Sequence, residues 1–520
     1  MLLTVCVLAN CVAVAVAEPP EKEHRSRPVE AVELEMLGGR PLTMTNFDRR
    51  RGTAILFLSA RCPITASAIQ ELNTIHKKYR LRDVLFVGVC SNPTETEEEL
   101  KAFCQSHGVI FPVYRDSQGK TARQFGAHVT PEVFLLDEQG RELYHGSAGV
   151  PEERSRLDAA IARLLQQQTP EPSQARIKGT ALESHAPAVE HEDPYGSIGF
   201  SSELIFEKIP GAPAHHCSTI TEAPNGDLVC VWYGGSYESA DDQVLFLSRR
   251  KAGQRAWSTP EVVIPAAQLP GNAIVFTDAS RRVWIVWGRM ESPRPIRRGS
   301  GWGECRLMYR TSGDSGATWS DDKPLIDELG SLPRNVPIHL ASGDMLVPLS
   351  GRVGSERGSF FMITRDDGQT WERSAVIAGG SQPTVVQRSD GSLLCFMRNE
   401  PRILMSESRD LGRTWSAATP TQFNNPDAGI AMTRLQSGAL VLVFNDTPDA
   451  RTPLCIVRSG DNGQTWDTPL KLEANPGEYS YPCAIPTADG RIHVTYTFRR
   501  YSIKHVEFNE DWLTRFERPN

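Results

Sequence analysis

The chain has 520 residues, enough for two or three domains. At 40% hydrophobic and 23% charged it has an ordinary globular balance, with material for a sizeable core. A formal net charge of −7, with no basic block, argues against nucleic acid as a partner, because an acidic surface repels phosphate.

Residues Leu2 to Ala17 form an apolar run that ends in Ala15-Val16-Ala17 before Glu18-Pro19-Pro20. That is the cleavage pattern of an export signal, so residues 1–17 are read as a signal peptide. The run is shorter than the roughly 20 residues a membrane span needs. A secreted or periplasmic protein with no stable membrane span after signal removal is expected. An uncleaved anchor is the alternative, because the run lacks a basic flank. Of eleven cysteines, Cys6 and Cys11 lie in this segment, and the remaining nine cannot all pair. Their spacing matches no zinc pattern. Cys230, Cys395 and Cys455 sit inside strand-like runs and read as small buried residues.

Residues 30–165 alternate apolar strand runs with helical patterns, which predicts an α/β unit. Ala54–Leu58 and Val84–Val89 are continuous apolar runs of the kind buried parallel strands show. Helices are expected over Ala66–Tyr79, Glu97–His107 and Pro151–Gln167. Val133–Asp137 and Arg141–Tyr144 read as a hairpin. Residues 166–200, rich in Gln, Pro, Glu and Ala and without period, read as a linker.

From 201 to 520 the pattern changes to short strands punctuated by Gly, Asp and Pro, with an internal repeat. Four segments match S/T-x-D-x-G-x-x-W: Ser312–Trp319, Thr364–Trp371, Ser408–Trp415 and Ser459–Trp466. A degraded copy runs from Ser248 to Trp257. A second hairpin repeat interleaves with these, at Asn225-Gly226-Asp227, Ser342-Gly343-Asp344, Asp390-Gly391-Ser392, Ser437-Gly438-Ala439 and Asp489-Gly490-Arg491, with a looser copy near Asp278. Six hairpins imply six four-stranded blades, an all-β propeller. Within each box the hydroxyl and carboxylate cap the N–H groups of a tight turn, Gly supplies a positive φ, and Trp is expected to pack the turn against its own blade. The boxes are therefore folding devices.

This array resembles the sialidase (neuraminidase) superfamily of Asp-box, or BNR-repeat, propellers over roughly Pro210 to Leu513. The resemblance implies an exo-glycosidase that retains configuration. It would use a Tyr nucleophile aided by a Glu, an Asp acid/base and three carboxylate-binding arginines, with no cofactor or metal. Arg398, in Cys395-Phe-Met-Arg398-Asn399, and Arg451, in Arg451-Thr-Pro-Leu454, match two of the arginines. A planar guanidinium suits bidentate carboxylate binding. Tyr479, in Glu478-Tyr479-Ser480-Tyr481-Pro482, matches the nucleophile segment. Tyr479 and Tyr481 would point the same way along a regular strand. Glu356, Glu400, Glu407 and Glu478 all qualify as the carboxylate partner, and Glu356 stands in the expected region. For the acid/base, the loop Gly234–Asp242 offers Asp242 first, then Asp241 and Glu238.

The departure is His216, which falls where the first arginine should be. A neutral imidazole cannot supply a fixed charge. The implied substrate moves from ordinary sialic acid toward another terminal sugar on a glycan or glycoconjugate, acidic first and neutral as the alternative. A glycan-binding propeller without hydrolysis is the competing reading.

Arg61-Cys62-Pro63-Ile64-Thr65 opening a helix, and Val129-Thr130-Pro131 before the hairpin, resemble the redoxin/thioredoxin family over about residues 35–160. The resemblance implies a thioredoxin-like fold, Pro131 as its cis-proline, and a thiol-redox partner. A thiol at a helix N-terminus is placed for chemistry by the free N–H groups there. Thr65 stands in place of a second Cys, so Cys90 or Cys104 would have to resolve any adduct formed on Cys62. A peroxiredoxin-like thiol oxidoreductase with the propeller as an accessory is the third reading.

Overall fold

A computed structural model describes residues 28–514, apart from 30, 38–40, 46, 48–49, 149–155, 171–176, 178, 184–198, 237, 292–303, 449 and 476. The segment read as a signal peptide lies outside the described residues. Among the described residues, no helix is long and apolar enough to cross a membrane.

The N-terminal unit is a seven-stranded mixed sheet. Gly52–Phe57 lies beside Val84–Cys90 in parallel, and both are buried along nearly their whole length, as their continuous apolar runs require. Glu132–Leu136 pairs antiparallel with Gly52–Phe57, and Glu142–Ser147 completes the hairpin. Helix α1, Pro63–Tyr79, buries Ala68, Ile69, Leu72, Ile75 and Tyr79 on one stripe against this sheet. It starts three residues earlier than its apolar spacing suggests, because Pro63 at its first turn needs no N–H partner there. The Thr130–Pro131 peptide is cis.

The segment read as a linker contributes a short strand of its own. Thr180–Ala181 pairs antiparallel with Val129–Thr130 of the N-terminal unit.

Six sheets follow, arranged as propeller blades. The ring is closed by Phe200–Leu204, which pairs with Ser502–Phe508 as the outermost strand of the last blade. This joins the propeller's first strand to its last. The nine cysteines among the described residues are all free. Cys230, Cys395 and Cys455 are buried within strands.

The boxes cap their turns as the residue chemistry requires. Ser312 Oγ accepts from Gly316 N at 2.7 Å, and Asp314 accepts from Thr318 N at 2.9 Å and Thr318 Oγ1 at 2.6 Å. The tryptophans differ from expectation, because they pack onto the preceding blade. Trp415, of the fourth blade, stacks on Phe361 of the third at 4.7 Å between centroids. Trp466, of the fifth, lies 5.8 Å from Phe396 of the fourth. Trp257 of the degraded box donates to Glu203 of the last blade at 3.0 Å. A box sits at the blade's edge, so its large ring closes the seam between blades instead of covering its own sheet.

Candidate functional site

The innermost strand of several blades breaks register at one point. In the first blade the shift lies between His216 and Thr219, in the fourth between Ser381 and Thr384, and in the last between Ser480 and Cys483. Within these bulges Cys217, Gln382 and Tyr481 hold φ values of 60°, 50° and 54°. A bulge re-aims the side chain it carries. The last bulge interrupts the alternation that would have turned Tyr479 and Tyr481 to one side. Tyr479 is fully buried with Phe498, and its hydroxyl accepts from Arg499 Nε at 3.1 Å. Tyr481 instead stands at the centre of an arginine cluster.

Three guanidinium carbons surround the Tyr481 ring, those of Arg334, Arg398 and Arg451, at 5.0, 5.7 and 5.4 Å from its centroid. Arg398 donates from Nη1 to Tyr481 Oη at 2.6 Å and to Gln382 Oε1 at 3.1 Å, and from Nε to Asp427 at 2.8 Å. Arg451 donates to Glu478 at 2.8 Å. Glu478 also accepts from Arg500 at 2.8 Å and from Ser480 Oγ at 2.8 Å. Burial opposes ionisation of the Glu478 carboxyl, but Arg500 and Arg451 outweigh it and hold the group well below the usual carboxylate range.

Arg334 is 1% exposed. Its Nη2 donates to Pro482 O at 2.7 Å, while its Nε and Nη1 have no hydrogen-bond partner among the described residues.

His216 lies in the same centre, 4.3 Å from Tyr481 between ring centroids. Its Nε2 is 3.3 Å from Arg500 Nη2, and its Nδ1 is 2.9 Å from Thr497 Oγ1. Since guanidinium only donates, Nε2 accepts and the imidazole is neutral. Burial, reinforced by Arg500, drives its pKa well down.

Other expected residues lie elsewhere. Asp242 is exposed and its carboxylate is taken up by Ser236, through N at 3.0 Å and Oγ at 2.5 Å. Asp241 is also exposed. Of that loop it is Glu238 that reaches the cluster, accepting from Arg500 at 2.7 Å. Glu356 is exposed beside a hairpin turn of the third blade, paired with Val353. Glu407 is tied to Arg388 at 2.6 Å, and Glu400 stands in the turn after Arg398. Among the described residues the Tyr481 hydroxyl is bonded to a guanidinium and not to a carboxylate.

Arg334 and Arg500 were not anticipated from the sequence. A signal for Arg334 exists. Cys217, Arg334, Gln382 and Tyr481 each stand eight residues before the first residue of their blade's hairpin repeat. That register selects the residue carried to the propeller axis, and it picks Tyr481 over Tyr479. Arg500 carries no such mark, because it sits in the turn between the last two strands, at φ 58°.

Two further features of the propeller lie apart from these arginines. An axial cavity of about 300 Å³ opens further along the inner strands, lined by Asn335, Thr384, Met432 and Cys483 among others, and none of the arginines lines it. On the last blade, ligand atoms of His493, His505 and Glu507 lie within 4.8 Å of one another. Glu507 is already paired with Arg250 and Arg491, at 2.6 and 2.5 Å, and the imidazoles hydrogen-bond to each other at 3.0 Å. The donor set is that of a charge-balanced seam between blades.

A family model described as BNR repeat-like domain matches residues 226–494. The chain belongs to the BNR repeat-like domain family. A second model, described as Redoxin, matches residues 26–161. The BNR repeat-like region is similar to an exo-alpha-sialidase of Aspergillus fumigatus, 26% identical over 190 residues, which are 35% of this chain and 43% of that protein. The redoxin region is similar to the thiol-disulfide oxidoreductase ResA of Bacillus thuringiensis, 23% identical over 107 residues, which are 21% of this chain and 60% of that protein. The chain thus spans less than two thirds of the length of either relative. Among solved structures it is similar to the Hadza microbial sialidase Hz136, with a TM-score of 0.52 and 18% identity over 58% of this chain and 67% of that one. That likeness establishes the propeller fold.

In the redoxin region Cys62 is the N-cap of α1, and its Sγ accepts from Thr65 N at 3.4 Å. The thiol donates to Thr130 O at 3.1 Å. It is 1% exposed. Cys90 donates to Glu95 at 3.1 Å, and burial, then Glu95, pushes its thiol well up. Cys104 is half-buried on the helix Glu97–Ser106, and burial raises its thiol as well.

Proposed function

We propose that the propeller centre is a glycan site for a terminal sugar bearing a carboxylate, and that the protein acts there as a sialidase-like exo-glycosidase. The observation that carries this reading is Arg334. A buried guanidinium with two unpartnered nitrogens is costly unless a ligand anion completes it. Arg398 and Arg451 are the neighbours that share such an anion. Their side chains are 14% and 17% exposed, so the cluster is reached from the surface over them.

Tyr481 is the nucleophile in this reading, and Glu238 is the carboxylate placed to serve the leaving oxygen. The tyrosine oxygen bonds the anomeric carbon and sheds its proton as the glycosidic bond breaks, the leaving oxygen takes up a proton by way of Glu238, and water then displaces the tyrosine, returning its proton and releasing the sugar with retention. The three guanidinium charges compensate negative charge arriving in the site. Arg500 holds Glu478 and Glu238 in place. The export reading of residues 1–17 supports action outside the cytoplasm.

The second reading is glycan binding without hydrolysis. It is favoured by the guanidinium, in place of a carboxylate, on the Tyr481 hydroxyl. Release of the aglycone from a panel of aryl sialosides, aryl uronides and neutral aryl glycosides separates the two. Turnover of an acidic member supports the enzyme. Binding of an acidic sugar with no turnover of any member supports the binding module.

A further inference from the structure

The short strand Thr180–Ala181 lies against the residue whose carbonyl receives the Cys62 thiol. Its register pairs Val129 with Ala181 and Thr130 with Thr180, and Thr130 O is the atom that receives the Cys62 thiol. The segment is fixed on both sides of the pairing. Leu182 N donates to His128 O at 2.8 Å, and the Leu182 side chain is buried in a core cluster of the redoxin region. Glu183 accepts from Thr94 Oγ1 at 2.6 Å, and its carboxylate lies 4.0 Å from Arg61, the neighbour of Cys62. At Gly179 an added Cβ would stand 2.4 Å from Thr130 O, so only glycine permits the approach.

We propose that this chain's own Gly179–Glu183 segment acts as a blocking strand beside Cys62, seated by its main chain on the Val129–Thr130 edge and by its acid at Arg61 and Thr94, and that it gives way to an extended polypeptide carrying a carboxylate. Main-chain pairing at a strand edge accepts any extended segment, and side-chain slots select among them. The resident strand displays the selection. It has glycine where backbones touch, an aliphatic side chain at the Leu182 slot, and an acid at Arg61 and Thr94. Because it is tethered, it competes at high effective concentration, so a partner must displace it before reaching the thiol. The inference rests on Cys62 being the working thiol of the redoxin region. Its test reads alkylation, which does not require redox turnover.

The full chain is treated with N-ethylmaleimide, and modification of Cys62 and Cys90 is followed by mass spectrometry. Cys62 in the native protein is expected to react at least about ten-fold more slowly than in Gly179→Val, with Cys90 protected in both. A synthetic peptide of the 177–185 sequence should restore protection to Gly179→Val, and the same peptide carrying Glu183→Ala should not. Equal Cys62 rates in the native protein and Gly179→Val would overturn the blocking strand. Equal protection by the two peptides would overturn the acidic partner. If Gly179→Val also exposes Cys90, the protein substitution Glu183→Ala takes its place. That variant must accelerate Cys62 alone, and no acceleration refutes the proposal.

Discussion

Arg398 gives a hydrogen bond to Tyr481 at 2.6 Å, while the hydroxyl of Tyr479, two residues earlier, is held by Arg499 at 3.1 Å. The two tyrosines of one strand therefore answer to different partners, Tyr481 to a guanidinium of the fourth blade and Tyr479 to one of its own blade. Tyr481→Phe should lower kcat by on the order of a thousand-fold while leaving sugar binding intact. Tyr479→Phe should leave kcat within a few-fold and cost about 1 kcal/mol of stability, the worth of one hydrogen bond. Steady-state kinetics with calorimetric titration of each variant checks both.

Glu478 joins Arg451 and Arg500 in a buried triad. Glu478→Gln keeps the shape and removes the charge between two cations. Breaking a buried ion pair in this way costs about 3–5 kcal/mol. Urea denaturation should register that loss, with the propeller transition moving and the redoxin transition unchanged.

Much of the fold was legible because its signals are local. Each box contains every residue its turn uses, so the repeat could be counted and the blades with it. Arg398 and Arg451 were legible because they precede boxes at the spacing of a known pattern. Arg500 was not, since its partners Glu238 and Glu478 come from opposite ends of the propeller sequence. The choice between Tyr479 and Tyr481 depended on a bulge, which period-two reasoning does not contain. The Thr180–Ala181 strand was hidden because two residues give no period.

Acid should weaken the propeller in two stages. Burial holds His215 and His493 neutral, with pKa values pushed down to about 3. A depressed imidazole favours the native state at neutral pH. As pH falls below the unfolded value of about 6.5, each such histidine removes up to about 1.4 kcal/mol per unit, until its folded pKa is reached. The box carboxylates Asp366 and Asp461 are lowered to about 2 by hydrogen bonds from Thr370 and Thr465. Their contribution is present above the unfolded value of about 4 and is lost as pH falls toward 2. Urea midpoints should therefore decline between pH 6.5 and 4, before the boxes protonate. A flat profile over that range would contradict the neutral-histidine assignment.

Trp415 spans the seam between the third and fourth blades. Trp415→Ala should destabilise the propeller by about 1–3 kcal/mol, and Phe361→Ala should lose part of its own effect in that background. A double-mutant cycle by thermal denaturation measures the coupling. Additive effects would show that the tryptophan packs only on its own turn.

The most direct test of the anionic glycan site is calorimetric titration with a uronic acid or sialic acid and with its methyl ester, against the native protein and Arg334→Leu. The acid should bind the native protein at least about ten-fold more tightly than the ester, and Arg334→Leu should erase that difference without lowering stability by more than about 1 kcal/mol. Equal binding of acid and ester by the native protein, or a preference that survives Arg334→Leu, would contradict it.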